Sequence, residues 1–185
     1  HTAWLHLLDR DGRLKSESPK NNGDNFVPGE GAAFLLLTNN PDLAMDYHGY
    51  RIRLATPGFS EEPGHLYSDI AYSGQGLDGA VKQALTAAPE DQRITNVFSS
   101  MNGEHYWAKE FGVAMTRSSH RFREPKHHHP ADCFGDLGAA AGGALIALAA
   151  YYSTRNGIPA NSLVCTSSDT EYRAAICVIP ERITA

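Results

Sequence analysis

Nucleophilic and acid–base side chains in this sequence gather in a few places. Cys133 stands just before Gly135-Asp136, where a helix is expected to begin. The leading end of a helix favours a thiolate, which would make Cys133 a reactive thiol; the plainer reading is a small buried residue. Ser99-Ser100 and Ser167-Ser168 offer hydroxyls, but no G-x-S-x-G elbow surrounds either pair. His127-His128-His129-Pro130, with His120 upstream, would be the place for a metal. Consecutive histidines on an extended chain point in different directions, however, and no second ligand pair has zinc spacing, so no metal and no cofactor are expected. His105 after Glu104 does not make H-E-x-x-H. Gly74, Gly76 and Gly79 read as a helix start rather than a phosphate loop, since no Lys-Ser/Thr follows. Arg117, Arg121, Arg123 and Lys126 form a small basic stretch, either solvated surface or a dock for an acidic carrier protein.

These groups have to be held by secondary structure that the pattern suggests. His1–Arg13 reads as a short apolar helix through Trp4, Leu5, Leu7 and Leu8, and Asn21-Asn22-Gly23-Asp24 as a turn. The run 32–38, bounded by turn residues, reads as a buried strand, and 50–56 as an alternating one. A helix is expected within 67–88, a strand at 95–98, and a helix at 104–116 with Trp107, Phe111 and Ala114 on one side. Residues 117–133 look irregular. A long helix at 137–154 and two antiparallel strands at 162–166 and 172–179 complete an α/β pattern with a mixed sheet of the five-stranded type.

Composition narrows the possibilities. Lys plus Arg is 16 and Asp plus Glu 21, a formal charge of −5, which gives no reason to expect nucleic acid as partner. With 42% apolar and 20% charged residues the chain is globular in type, and its 185 residues suit one domain, 1–185. Three cysteines, Cys133, Cys165 and Cys177, are too few for a disulfide scaffold and fit free thiols in a reducing, cytoplasmic compartment. The first residue is His1 rather than Met, so an N-terminal half is expected to be absent from this sequence and to carry part of any site.

From Leu137 to Tyr152 there is no charge, and Gly138, Ala139, Ala141, Gly142 and Gly143 are small. A helix apolar all round is buried all round, and this run falls short of the ~20 residues of a membrane span. Helices on one side of a sheet would leave its far face open. A second layer is therefore expected over it: a second sheet, a second copy, or the missing half.

Three stretches carry a family resemblance. Residues 25–37, with Pro28-Gly29-Glu30-Gly31-Ala32, look like the GF-x-x-GEGA strand of β-ketoacyl synthases. Gly135-Asp136-Leu137-Gly138-Ala139-Ala140-Ala141-Gly142 resembles their GH-x-x-GAAG helix start. Between them, Val97-Phe98-Ser99-Ser100 followed by Glu110 falls where that family has HGT…D-x-x-E. The order and spacing of all three agree. The resemblance spans roughly 8–179 and implies the C-terminal half of a thiolase-like fold: two similar α/β halves, helices between their sheets, usually a dimer, with the nucleophilic cysteine in the other half.

Family chemistry needs that thiolate, two histidines to donate to a forming enolate oxygen, and a lysine near the second. The first histidine position is Ser99, the second Asp136 and the lysine position Ala131; Ser167-Ser168-Asp169-Thr170 replace the glycine-rich oxyanion loop, and Glu110 is retained as an acid that is structural as readily as catalytic. A carboxylate at 136 places negative charge where negative charge must develop. The resemblance thus implies a synthase-like protein without decarboxylative condensation, acting by binding as a partner subunit or adaptor, accessory to bacterial secretion. The alternative is an acyltransferase or condensing enzyme of the 3-oxoacyl-carrier-protein synthase class, whose absent half supplies the cysteine. Expected partners are that half or a partner subunit in a homo- or heterodimer, with an acyl carrier protein or acyl thioester as ligand.

Overall fold

A computed structural model describes residues 2–15, 24–90, 93–155 and 159–183. The expected turn residues Asn21, Asn22 and Gly23 lie outside these. Among the described residues a six-stranded mixed sheet, one strand more than the sequence suggested, organises the chain. Its strands are β1 (Tyr50–Leu54), β2 (Gly58–Glu61), β3 (Ile94–Ser99), β4 (Phe122–His128), β5 (Ser162–Ser167) and β6 (Tyr172–Arg182), in the order β1-β6-β5-β3-β4 with β2 also on β6. β3 runs parallel to both β4 and β5, and β6 is antiparallel to β5, β1 and β2.

Side chains alternate across this sheet and build two cores. Ile94, Val97, Leu163, Cys165, Cys177 and Ile179 face helix α2 (Gly76–Thr86) and helix α3 (His105–Arg117). Phe98, Val164 and Val178 face helix α5 (Ala141–Thr154) through Leu145 and Ala149. The chain opens on α1 (Thr2–Arg10) and carries the short α4 (Ala131–Phe134) between β4 and α5.

Two buried carboxylates hold this frame. Glu62 accepts hydrogen bonds from the backbone N–H groups of Gly64, Ser73, Gln75 and Gly76 and from the Ser73 hydroxyl, so it fixes the start of α2. Burial alone would raise its pKa; the hydrogen bonds outweigh that and leave it below the ordinary 4.5. Glu110, on α3, accepts from Arg173 Nε on β6 at 2.6 Å and from the Ser167 hydroxyl. Both side chains of the Glu110–Arg173 pair are fully buried.

Four expectations change. Residues 32–38 form no strand: Phe34 and Leu36 are 95% and 96% exposed. A run apolar on both faces needs a sheet to enter between two strands, and none of the strands described here accepts it. Residues 117–133 are not irregular; they hold β4 and α4. The bulge at Glu124 (φ 43) and Pro125 hid β4 by breaking its alternation, as edge strands often do. The expected helix at 137–154 begins as a 3-10 turn, Gly138–Ala140, before α5. Finally, this chain covers one face of α5. Leu145, Ala149, Ser153 and Thr154 are buried, while Ala147 and Tyr151 lie exposed on the side where a second layer was expected.

Replacing Arg173 with Met leaves the Glu110 carboxylate buried without its cation, which is expected to cost about 3–5 kcal/mol in urea denaturation. Adding Glu110→Met should recover most of that loss. Equal stability of the single and double variants would show that the pair is not what holds α3 to β6.

Candidate functional site

The chain's chemistry lies at the carboxyl ends of the parallel strands, where open α/β sheets bind ligands. Ser99 ends β3, His129 directly follows β4, and Ser167 ends β5. Strand register aligns Phe98 with His128 and Ser99 with Cys165. One step beyond Phe98–His128, the side chains of Ser99 and His129 meet, with Oγ and Nδ1 2.8 Å apart.

The same alternation sorts the three histidines. His128 turns toward α5, stacked on Phe98 with centroids 4.4 Å apart and bonded to Asn96 Oδ1. His127 and His129 turn toward α3, each edge-on to Phe111. Burial lowers the pKa of all three rings below 6.5; for His129 the neighbouring Asp132 opposes that shift. Among the described residues no group of three or more His, Cys, Asp or Glu side chains is placed to hold a metal.

An open cleft follows from this corner. Its walls include Ser99, Ser100, Pro130, Ala131, Phe134, Asp136, Leu137 and Leu145. The three positions singled out in the sequence, Ser99, Ala131 and Asp136, thus converge on one cavity. A second, smaller cleft on the α3 side is lined by Ser99, Ser100, Trp107, Phe111, Cys165 and Ser167.

Asp136 is fixed by backbone and side-chain bonds. Its N–H donates to Val27 O, and its carbonyl accepts from the Gly29 N–H, both at 2.8 Å. This close approach requires glycine on each side. A Cβ on Gly29 would lie 2.2 Å from Phe134 O, and Gly135 takes φ 79 against the Pro28–Gly29 backbone. The Asp136 carboxylate accepts from Asn102 Nδ2 and from the Gly138 N–H, each at 2.8 Å. Asn102 also donates to Glu104, which is buried and clamped by Arg13 through two bonds of 2.8 Å. Arg13 in turn holds Asp169 and the Tyr67 hydroxyl. Burial opposes a charge on Arg13, but Glu104 and Asp169 more than reverse this and raise its pKa. This network was not legible in the sequence, because Arg13, the Asn102–Glu104 pair and Asp169 are far apart along the chain and form no motif.

Other sequence candidates are placed differently. Glu110 lines neither cleft; it is the buried partner of Arg173. Of the loop at 167–169, Ser167 lines the smaller cleft, the Ser168 carbonyl accepts from Arg173, and Asp169 holds Arg13. Cys133 does not begin the long helix and is not buried: it is exposed in α4, which Gly135 ends before α5 starts. Cys165 and Cys177 are buried, and burial pushes their thiols up to about 12 and about 11, so neither is a ready nucleophile. His105 stays outside the cleft, exposed beside Asp24.

No family model and no curated protein matches this sequence. Solved structures do. The ishigamide ketosynthase/chain length factor superposes with a TM-score of 0.67 at 15% identity, over 96% of this chain and 50% of that one. The oxazolomycin ketosynthase domains OzmH KS7 and OzmH KS8 of Streptomyces albus JA3453 give TM-scores of 0.61 and 0.51 at 11% and 12% identity. The fold is that of a ketosynthase half. This chain spans half or less of those chains: 50%, 40% and 43% of their lengths, in the order given. No described helix of the ketosynthase-like chain is long and apolar enough to cross a membrane.

The histidines give the fold a pH dependence. A ring whose folded pKa lies below 6.5 binds fewer protons folded than unfolded. Stability is therefore full above about pH 6.5 and declines as pH falls toward the folded values. Thermal melts between pH 7.5 and 5 should show this decline, and His128→Phe, which keeps the stack on Phe98 and removes one titrating ring, should flatten it. An unchanged slope would place the proton uptake elsewhere.

Proposed function

We propose that this chain is the C-terminal-type half of a ketosynthase-like protein that has lost decarboxylative condensation and acts by binding, as a partner subunit or adaptor. A cytoplasmic setting and a role beside bacterial secretion are part of this proposal. The observation that carries it is the convergence of Ser99, Ala131 and Asp136 on one cleft. Where ketosynthase chemistry requires two imidazoles and an ammonium, these positions offer a hydroxyl, a methyl and a carboxylate. His129 brings one imidazole to Ser99, but among the described residues no imidazole or ammonium lines that cleft. Losing a single oxyanion donor commonly costs ~10²–10³ in rate.

Binding is also what the open surfaces favour. Ala147 and Tyr151 on α5 are exposed, as is the strip Phe34–Leu37, followed by Leu43 and Met45. Ala33 lies against Gly143, where a Cβ would come within 2.9 Å of its own, so strip and helix form one continuous surface. A second α/β layer of the same type, joined in a homo- or heterodimer or carried on the other half of a longer chain, would bury both. An acyl thioester or acyl carrier protein remains the ligand class for the cleft.

Radiolabelled malonyl thioester, incubated with the full-length natural protein, is expected to release no carbon dioxide and to leave no acyl group on cysteine. Release of carbon dioxide would instead establish the acyltransferase reading, with its cysteine in the other half. The binding surface has its own test. Leu36 is 96% exposed in this chain, so Leu36→Asp would ordinarily shift stability by no more than about 0.5 kcal/mol. In the assembled protein it should cost about 1.5–3 kcal/mol. A surface-like result there would remove the second layer from the proposal.

A further inference from the structure

The hydrogen bond between Ser99 and His129 is not explained by the loss of condensation. Neither residue is expected at its place from the family motifs, yet parallel register and side-chain alternation bring them together at 2.8 Å. Ser99 Oγ also accepts from the Met101 N–H at 3.3 Å, which turns its own proton toward the imidazole. His129 is held edge-on by Phe111, and burial favours its neutral ring, whose Nδ1 can take that proton. Asp132, one turn along, favours the imidazolium once it forms. Ser99 lines both clefts and is 4% exposed. Alternation turns Ser99 and His129 to the α3 side, where the smaller cleft is walled by Leu77, Trp107 and Phe111. A small apolar group fits such walls. The competing carboxylate, Asp136, has both oxygens tied, to Asn102 and Gly138.

We propose that Ser99 is a nucleophile with His129 as its general base, forming a serine acyl-transfer site for a small apolar acyl group carried as an ester or thioester. The reaction makes no carbon–carbon bond and needs neither the absent second imidazole nor the absent ammonium. Ser99 Oγ bonds to the acyl carbon while its proton passes to His129 Nδ1. The bond to the leaving alcohol or thiol breaks, and that group departs with the proton from His129. Water then gives a proton to His129 and attacks the acyl-serine; the free acid leaves as Ser99 recovers its proton.

A fluorophosphonate probe tests this in the full-length natural protein, since it is attacked by an activated serine and releases fluoride. The expected result is an adduct on the peptide carrying Ser99, absent in Ser99→Ala, forming more slowly as pH falls toward the His129 pKa, which burial holds below the ordinary imidazole value. His129→Gln should slow labelling by about 10²–10⁴-fold, with a melting curve confirming that the variant is folded. A p-nitrophenyl ester of a short acid should be hydrolysed with the same dependence on both residues. No adduct at Ser99, or an adduct whose rate ignores both pH and His129→Gln, would overturn the proposal and reduce the bond to a tie between β3 and the β4–α4 corner. Carbon dioxide release from malonyl thioester reads a different reaction and does not depend on whether Ser99 is labelled, so the two proposals fail separately.

Discussion

Parallel pairing of β3 with a strand on each side is the constraint on which the rest of this molecule depends. It sets which residues end level at the carboxyl edge, and it fixes which face each one meets. Because successive side chains point to opposite faces, Phe98 and His128 go to the α5 core while Ser99 and His129 go to the α3 side. A slip of one residue between β3 and β4 would put His129 against Tyr152 and α5 and leave Ser99 without an imidazole. The bulge at Glu124–Pro125 comes before this part of the ladder, so the last three pairs, Asn96–Lys126 to Phe98–His128, stay in step.

Charge is used sparingly in this frame and placed where it ties distant elements together. Glu62 fixes the start of α2, Glu110 and Arg173 join α3 to β6, and Arg13 links the residues after α1 to Glu104 and Asp169. The last of these reaches the cleft, since Glu104 and Asp136 share Asn102. The Asp136 carboxylate is therefore a built feature with both oxygens satisfied. Its neighbours donate hydrogen bonds to a fixed negative charge; they do not offer donors to a substrate.

Much of the fold was legible because it rests on local patterns. The uncharged stretch from Leu137, the Leu77–Leu85 periodicity and the apolar runs in β3 and β5 each announce their element. The order of three weak motifs pointed to the ketosynthase-like half that the structural comparison bears out. What stayed hidden depends on contacts between segments. β4 reads as irregular because its bulge and its histidines break the period-2 pattern. Residues 32–38 read as a strand because their composition fits one, but a strand is defined by its neighbour, and here none of the described strands pairs with it. The positions Ser99, Ala131 and Asp136 were singled out by the family resemblance, and the structure brings them to one cleft. The pairing of Ser99 with His129 could only come from register, because thirty residues separate them.

Two features that look like defects point the same way when taken together. An apolar strip at 34–37 and the open side of α5 each expose surface that water disfavours, and burying such side chains stabilises by about 1.5–3 kcal/mol apiece. They meet where Ala33 rests on Gly143, so a single covering layer would satisfy both. The cleft lies beyond the leading end of the same helix, at Ala141 and Leu145. A layer over α5 would thus also form part of that cleft's outer wall and limit what can reach it.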